Sequence, residues 1–360
     1  MFLSRLRLIQ FKNHAQAEFS FKKKINCFIG RNGAGKTNIL DAIHYICLTK
    51  SFLNSVDQQL MLWGSSFFRL DAAIGMAQNE EQITVKWQMP RRKEFSVNNL
   101  PYKKLSEHIG HFPAVVISPD DAALIQGPSE ERRRFLDNTL SQIDPVYLNH
   151  LIRYVKVLDQ RNALLKQAAA GGAFDAVLLE QYDEQLAVHG EPVYEARRKA
   201  TTELNQLFHT YYQQLSGGRE VVDFTYQSDM HQGDLRLLLR GSHKKDLLLE
   251  RTGTGIHRDD LEFSIGKEKI RKFGSQGQQK SFIIAMKLAQ HRLIAQRKGV
   301  APVLLIDDIF DKLDEMRSKA LMALLSDPFF EQIFLTDTSQ THIQSALSGK
   351  EELYEIFLLL

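Results

Sequence analysis

The chain has 360 residues, of which 43% are hydrophobic and 25% are charged, and its formal net charge at pH 7 is +3. These values are typical of a globular protein large enough for two domains, and they exclude a disordered or fibrous chain. The longest apolar runs are shorter than the roughly 18 residues of a membrane-spanning helix. We therefore expect a cytoplasmic protein with no membrane partner, whose two cysteines, Cys27 and Cys47, are buried free thiols.

The first 30 residues predict strands. Leu6 and Leu8 alternate with Arg5 and Arg7, which is the pattern of a half-buried strand, and the mostly apolar segment 25–29 predicts a buried one. A phosphate-binding pattern, G-x-x-x-x-G-K-[ST], follows directly and is matched in full. The matching residues are Gly30, Arg31, Asn32, Gly33, Ala34, Gly35, Lys36 and Thr37.

This loop predicts nucleotide binding. Its glycines let backbone N–H groups surround phosphate oxygens, Lys36 can reach the β- and γ-phosphates, and the Thr37 hydroxyl can ligate Mg²⁺. Apolar residues recur at helical spacing from Ile39 to Cys47, so the loop lies between a strand and a helix N-terminus, as the motif requires.

Lysine and arginine are concentrated in residues 1–36 and 86–104. Such segments suit a polyanion such as DNA, but they equally suit a solvated basic face. Alternating apolar residues over 83–89 predict an antiparallel strand. Because no aromatic series interleaves with the cations, phosphate contacts to duplex DNA are favoured over base recognition. The candidate DNA-binding residues bracket a predicted hairpin and are Arg91, Arg92, Lys93, Lys103 and Lys104.

The middle of the chain is predicted to be helical. After a buried strand at 114–117, apolar positions from 154 to 168 share one helix face, and a second helical stretch runs from about 175 past 207. No sustained heptad pattern is present, so we expect short packed helices. The sequence predicts a mainly helical domain over 118–240, inserted into a head formed by residues 1–117 and 241–360.

Three further groups have competing interpretations. The arginines 132–134 lie within helical pairing distance of the acidic residues 130–131, which favours salt bridges over DNA contacts. The lysines 22–24 fit a turn between strands better than a DNA contact. The segment 257–260 contains one His and two Asp, and a turn before a strand is favoured there over a metal site.

Strand signals return after residue 253, and a mostly apolar helix is predicted at 276–296. Ser275 and Gln278 precede it with the spacing of a capping box, which accounts for both residue types. The alternative is a second phosphate-binding helix start, where the Ser275 hydroxyl and the Gly277 N–H face a γ-phosphate bound by another subunit.

The apolar run 303–306 ends in two carboxylates, and the run 333–335 predicts a further strand. A P-loop enzyme needs a buried parallel strand that ends in a carboxylate residue opposite its lysine. Asp307 would hold Mg²⁺ and Asp308 would position or deprotonate the attacking water. A simple strand ending in an Asp turn is the structural alternative, but two adjacent carboxylates repel, which favours a bound cation.

Three motifs occur in the order of an ABC-type ATPase head: the phosphate-binding loop 30–37, the helix start 275–278 and the acid pair 307–308. Longer segments resemble the RecF family of ABC/SMC-like heads. The resemblance implies an α/β fold: a P-loop ABC-type ATPase head with a mixed sheet, plus the inserted mainly helical domain. The segments that carry the resemblance are 6–13, 118–121, 127–137, 160–166 and 255–261, together with the three motifs.

The resemblance also implies an ATP-dependent homodimer in which each ATP, with Mg²⁺, lies between Lys36 of one subunit and Ser275, Gly277 and Gln278 of the other. It further implies binding to single- and double-stranded DNA at gaps, and weak DNA-dependent ATP hydrolysis. By the same resemblance the protein aids loading of the recombinase RecA with RecO and RecR, in replication, recombination and the SOS response to DNA damage.

The chain departs from the expected patterns at four positions. Asp308 stands where most ABC heads carry Glu, Asp311 where the family tends to have Ser, and Asp337 where many heads place a His. Ile256 replaces a family Pro. The shorter reach of Asp308 is consistent with weak hydrolysis.

Other P-loop proteins remain as alternatives. The ATPase subunit of an ABC transporter shares the motifs but needs a much shorter segment between Lys36 and Ser275. A chromosome-organising head would need a long heptad arm, and a P-loop kinase would lack the Ser275 motif.

Overall fold

The computed structural model describes residues 1–76, 79–90, 92–171, 175–218, 220–309 and 313–359. In chain order the strands are β1 (Phe2–Phe11), β2 (His14–Ser20), β3 (Ile25–Gly30), β4 (Phe67–Gly75), β5 (Glu80–Gln88), β6 (Arg92–Val97), β7 (Leu100–Pro101), β8 (Ala114–Ile117), β9 (Val222–Gln227), β10 (Asp260–Ile265), β11 (Glu268–Lys269), β12 (Val303–Ile306), β13 (Ile333–Asp337) and β14 (Tyr354–Leu359). The helices are α1 (Lys36–Leu48), α2 (Ala123–Gln126), α3 (Ser129–Ile143), α4 (Pro145–Ala169), α5 (Ala176–Ser216), α6 (Leu235–Leu249), α7 (Ile270–Phe273), α8 (Gln276–Lys298), α9 (Glu315–Leu325) and α10 (Gln340–Ala346).

The chain divides into two compact units. The first comprises Met1–Asp121, Thr210–Arg219 and Ser275–Leu360, and the second comprises Ala122–His209 and Glu220–Gly274. Both chain ends therefore contribute to the first unit. The predicted return to the head at residue 241 differs from this division, because that position lies inside α6 and residues 220–274 pack in the second unit.

Two sheets form the first unit. One is antiparallel with the order β2-β1-β4-β5-β6-β7, and the other is parallel with the order β14-β3-β13-β12-β8. Parallel and antiparallel strands are thus both present, as predicted, but the two strand directions occur in separate sheets. The strands β3, β12 and β13 are buried along nearly their whole length and consist mostly of apolar residues, because parallel strands are buried on both faces.

The core of the first unit surrounds α1. This helix is buried almost all round, and its apolar residues share one cluster with the inner face of the antiparallel sheet and with Phe28, Leu305 and Phe334 of the parallel sheet. The helix that begins at the phosphate-binding loop is therefore fixed on all sides. Cys27 and Cys47 are buried free thiols, as predicted.

The second unit is mainly helical, but it also contains an antiparallel sheet with the order β11-β10-β9. The sequence interpretation missed β9, although Val222, Phe224 and Tyr226 alternate there as buried residues. The expectation of short helices is wrong for α5, which spans 41 residues. Within the described residues, no helix has the length and apolarity needed to cross a bilayer.

Candidate nucleotide-binding site

The phosphate-binding loop lies between β3 and α1, as predicted. Two of its glycines are needed sterically. A Cβ atom at Gly30 would lie 2.6 Å from the Leu359 carbonyl oxygen, and Gly35 combines a φ of +92° with side chains of Asn13 and His14 at 2.6 Å from such an atom. The loop is consequently held close to the backbone of Leu359 on one side and to the side chains of Asn13 and His14 on the other.

Lys36 is the first residue of α1, and its ammonium points back into the loop. Nζ donates to the carbonyl oxygens of Gly30, at 2.7 Å, and Arg31, at 3.0 Å. The side chain is buried although it is charged. A buried ammonium that donates to carbonyl oxygens of the loop is suited to an anionic ligand in the same loop, where the N-terminus of α1 adds its positive dipole end.

The turn between β1 and β2 braces the loop, a feature that the sequence interpretation missed. Asn13 Nδ2 donates to Gly33 O at 3.4 Å and Asn38 Nδ2 donates to Asn13 Oδ1 at 2.7 Å. Burial lowers the pKa of His14, so its ring is neutral and Nε2–H donates to Gly35 O at 3.1 Å. Only the tertiary fold brings these residues together.

Asp307 follows β12 and contacts the loop threonine. Thr37 Oγ1 lies 2.9 and 3.1 Å from the two carboxylate oxygens of Asp307. Burial raises the pKa of the Asp307 carboxyl, while hydrogen bonds from Thr336 and Thr37 oppose that rise. A hydroxyl and a buried carboxylate at this distance are the hard oxygen ligands that Mg²⁺ prefers. The residues therefore fit a magnesium ion, which would neutralise phosphate charge when bound.

Thr336, near the end of β13, connects the Asp307 carboxylate with the backbone of Asp308. The parallel sheet places β13 between β3 and β12, so Thr336 lies beside the acid pair. Its Oγ1 donates to Asp307 Oδ1 at 2.7 Å and accepts from the Asp308 N–H at 3.0 Å. Asp308 has a φ of 45°, a left-handed conformation that Asp tolerates better than most residues. One buried hydroxyl thus orients the Asp307 carboxylate and holds the strained backbone of Asp308.

Replacing Thr336 with valine is expected to slow ATP hydrolysis about 10-fold, because the variant keeps the shape of the side chain but leaves the Asp308 N–H without its acceptor. The Mg²⁺ concentration for half-maximal rate should rise as well. Single-turnover hydrolysis over a Mg²⁺ titration measures both effects. Thr336→Ser, which keeps the hydroxyl, is the control and should retain most activity. A valine variant with the normal rate and Mg²⁺ dependence would contradict the role of this hydroxyl.

The helix start at Ser275 shows the predicted capping box. Ser275 Oγ accepts from the Gln278 N–H at 3.2 Å, and Gln278 Oε1 accepts from the Ser275 N–H at 2.7 Å. The structural interpretation is confirmed, and Ser275 itself is exposed at the N-terminus of the 23-residue helix α8. A Cβ at Gly277 would lie 2.9 Å from Arg317 Nη1, so glycine also permits close packing against α9. The phosphate-binding role of Ser275, Gly277 and Gln278 stays a prediction.

Two further departures from the expected patterns have different outcomes. Asp337 is buried at the end of β13, where its Oδ1 accepts from the Ser339 N–H at 2.7 Å. Asp311 lies outside the described residues.

The five candidate DNA-binding residues do not form one group. Lys93 lies on the inner face of β6, where Nζ donates to Thr49 O at 2.5 Å, pairs with Asp57 at 3.1 Å and lies 4.5 Å from the centroid of the Tyr45 ring. Side chains alternate across a strand, so the neighbour Arg92 points outward and is exposed. Lys103 and Lys104 are exposed too, whereas Arg91 lies outside the described residues.

The other basic and histidine groups have structural partners, as the favoured interpretations predicted. Within the second unit, Arg132 pairs with Asp260 at 2.6 Å and Arg134 pairs with Glu130 and Glu131. His257 accepts or donates hydrogen bonds with Tyr154 and Thr252, and the part of the chain that the structure describes holds no cluster of three metal-ligating side chains.

Lys23 and Lys24, in the turn before β3, also have partners. Their ammonium groups donate to the carbonyl oxygens of Glu352, at 2.8 Å, and Asp327, at 2.6 Å. This favours the strand-turn interpretation for residues 22–24.

The fold and the site together define an ATPase head of the ABC/SMC type, with a phosphate loop after one parallel strand and an acid pair after another. The RecF/RecN/SMC N terminal domain family matches residues 2–358. A Flavobacterium johnsoniae protein named DNA replication and repair protein RecF is 43% identical over 359 residues, which is 100% of both chains. A Cytophaga hutchinsonii protein of the same name is 42% identical over 361 residues, covering 100% of this chain and 95% of its own.

Solved structures agree with these relatives. The structure of the recombination mediator protein RecF-ATPrS in the RecFOR pathway has a TM-score of 0.87 at 28% identity and covers 95% of this chain and 93% of its own. An SMC head bound to ScpA has a TM-score of 0.56 at 16% identity and shares the fold. The chain belongs to the RecF family of replication and repair ATPases. A transporter subunit is not favoured.

Proposed function

We propose that two copies of this chain bind ATP and Mg²⁺ between them and, in that state, bind DNA during replication and repair. The arrangement of Lys36, Thr37 and Asp307 carries this proposal, because chain segments some 270 residues apart converge on one phosphate loop. A relative solved as RecF-ATP supports the choice of nucleotide.

A shared nucleotide site is supported by the position of Ser275. Its hydroxyl and the first N–H groups of α8 lie at an exposed helix N-terminus, which favours negative charge. In the proposed dimer, Ser275, Gly277 and Gln278 of one copy face the γ-phosphate held by the loop of the other. Donors from a second copy give charge-assisted hydrogen bonds that an isolated copy lacks. ATP would thereby join the two protomers.

Hydrolysis within this site follows from the roles of the chain's own residues. Lys36 would exchange the Gly30 and Arg31 carbonyls for the β- and γ-phosphate oxygens, while Thr37 and Asp307 hold Mg²⁺, which supplies charge neutralisation. Asp308 would orient the attacking water and accept its proton. Because Asp is one methylene shorter than Glu, slow turnover is expected, as in a switch that reports nucleotide state.

The remaining expectations are part of the same proposal. RecO and RecR are proposed partners because a relative's structure is described within the RecFOR pathway. Loading of RecA, a cytoplasmic location and the head-plus-insertion organisation stay predictions.

DNA binding that depends on ATP tests the function. We expect a gapped duplex to bind in ATP and Mg²⁺ and to bind at least 10-fold more weakly in ADP, with affinity falling linearly on a log–log plot as salt rises, because phosphate contacts release counterions. Fluorescence anisotropy at several salt concentrations measures this. Equal affinity in ATP and ADP, or a flat salt response, would overturn the proposal.

A further inference from the structure

One end of the antiparallel sheet has an exposed face with surplus positive charge. The register of β4, β5 and β6 aligns the outward side chains of these strands in two adjacent rows. The side chains in both rows are exposed or half-buried, whereas the alternate residues Phe68, Trp87 and Phe95 are buried. We call this surface the sheet-end patch. It consists of Phe67, Arg69, Lys86, Gln88, Arg92 and Glu94.

The sheet-end patch continues toward the exposed Lys103 and Lys104, because the Tyr102 N–H donates to Phe95 O and so places the chain after β7 beside β6. Arg69 pairs with Asp71 at 2.7 Å and Arg92 pairs with Glu94 at 2.8 Å. The cations still outnumber the carboxylates, so this end of the sheet is complementary to a polyanion.

Trp63 lies at the same end, four residues before Phe67, and it is 99% exposed. The turn that carries it is held by backbone hydrogen bonds from Leu62 N to Gln10 O at 2.8 Å and from Ser65 N to Leu62 O at 2.9 Å. Met89 N donates to Ser66 O at 3.0 Å, which joins the turn to the end of β5. Phe67 and Met89 are themselves partly exposed. A fixed backbone thus presents a whole indole ring to solvent.

We propose that the sheet-end patch binds single-stranded DNA, with its cations on the phosphates and the Trp63 ring stacked on an unpaired base. An exposed aromatic ring beside cations is the combination that single-strand binding proteins use, since every base has a stacking face. The surrounding charge disfavours an apolar protein surface as the occupant. This inference rests on the proposed DNA-binding function and adds to it the surface that holds the single strand and the residue that stacks on a base.

Tryptophan fluorescence gives a direct test, because the chain has two tryptophans and the other, Trp87, is only 4% exposed. With ATP and Mg²⁺ present throughout, oligo(dT) should quench the emission of the normal protein, and Trp63→Phe should lose that quenching. Trp63→Ala should bind oligo(dT) about 5- to 150-fold more weakly, while its affinity for blunt duplex changes less than twofold. Leu100→Ala is the matched control, because Leu100 is a 74% exposed apolar residue on β7 and its loss should change neither affinity.

Each other result overturns the inference. If Trp63→Ala binds oligo(dT) with normal affinity, or loses affinity equally for oligo(dT) and duplex, then Trp63 does not stack on a base. If ATP quenches the Trp63 emission before DNA is added and oligo(dT) causes no further change, the Trp63 ring contacts the nucleotide and not the DNA. If the normal protein binds neither DNA, the proposed function fails together with this inference; if it binds both and Trp63→Ala behaves normally, only the inference fails.

Discussion

Replacing Lys36 with methionine is expected to weaken ATP binding about 10- to 100-fold and to abolish ATP-driven dimerisation. The Lys36 ammonium is the buried cation of the phosphate loop, where it donates to the Gly30 and Arg31 carbonyls. A hydrogen bond from a charged group contributes about 1.5–3 kcal/mol, and methionine supplies none. Sedimentation with ATP and Mg²⁺ measures the dimer, and nucleotide titration measures the affinity.

Lys267→Met is a suitable control, because Lys267 is an exposed lysine in the turn between β10 and β11, outside the nucleotide loop. It should bind ATP and dimerise normally. A Lys36→Met protein that dimerises at the same ATP concentration as the normal protein would contradict the role given to this ammonium.

Replacing Asp308 with asparagine is expected to lower the rate of ATP hydrolysis at least about 100-fold while leaving the ATP-bound dimer intact. General-base catalysis contributes about 10²–10⁴-fold, and an amide cannot accept the proton. Asparagine is the appropriate replacement, because it tolerates the left-handed conformation of residue 308 as well as aspartate does. Phosphate release under single-turnover conditions is the measurement.

An unchanged rate of phosphate release in Asp308→Asn would assign water activation to another group. Loss of the dimer as well would show that Asp308 acts in ATP binding. Asp307→Asn provides the comparison, since the Asp307 carboxylate contacts Thr37 and its loss should first raise the Mg²⁺ concentration needed for half-maximal hydrolysis.

Local sequence was sufficient to predict those strands whose apolar residues are mostly consecutive. The mostly apolar segment 25–29 and the apolar runs 114–117, 303–306 and 333–335 correspond to β3, β8, β12 and β13, since strands of a parallel sheet are buried on both faces. The phosphate loop and the acid pair follow two of these strands. Because the carboxyl ends of parallel strands share one edge of the sheet, their convergence could be predicted as well.

Features that depend on tertiary placement could not be predicted. Thr336 becomes important only because β13 lies between the strands that carry the loop and the acids, and Asn13 braces the loop only through the packing of β1. Lys93 belongs to a basic run in sequence, yet strand alternation turns it inward. The alternation over 222–227 was a local signal for β9, but it was overlooked within a helical region.

Mixing two inactive variants tests the shared nucleotide site most directly. Lys36→Met loses the loop lysine and Ser275→Arg blocks the facing helix start, so neither should form the ATP-dependent dimer alone. In a mixed pair, Lys36 of the second variant faces Ser275 of the first, which restores one intact site. Sedimentation of an equimolar mixture with ATP and Mg²⁺ should therefore recover a dimer. A mixture that sediments as the two monomeric variants do separately would contradict a nucleotide held between two copies.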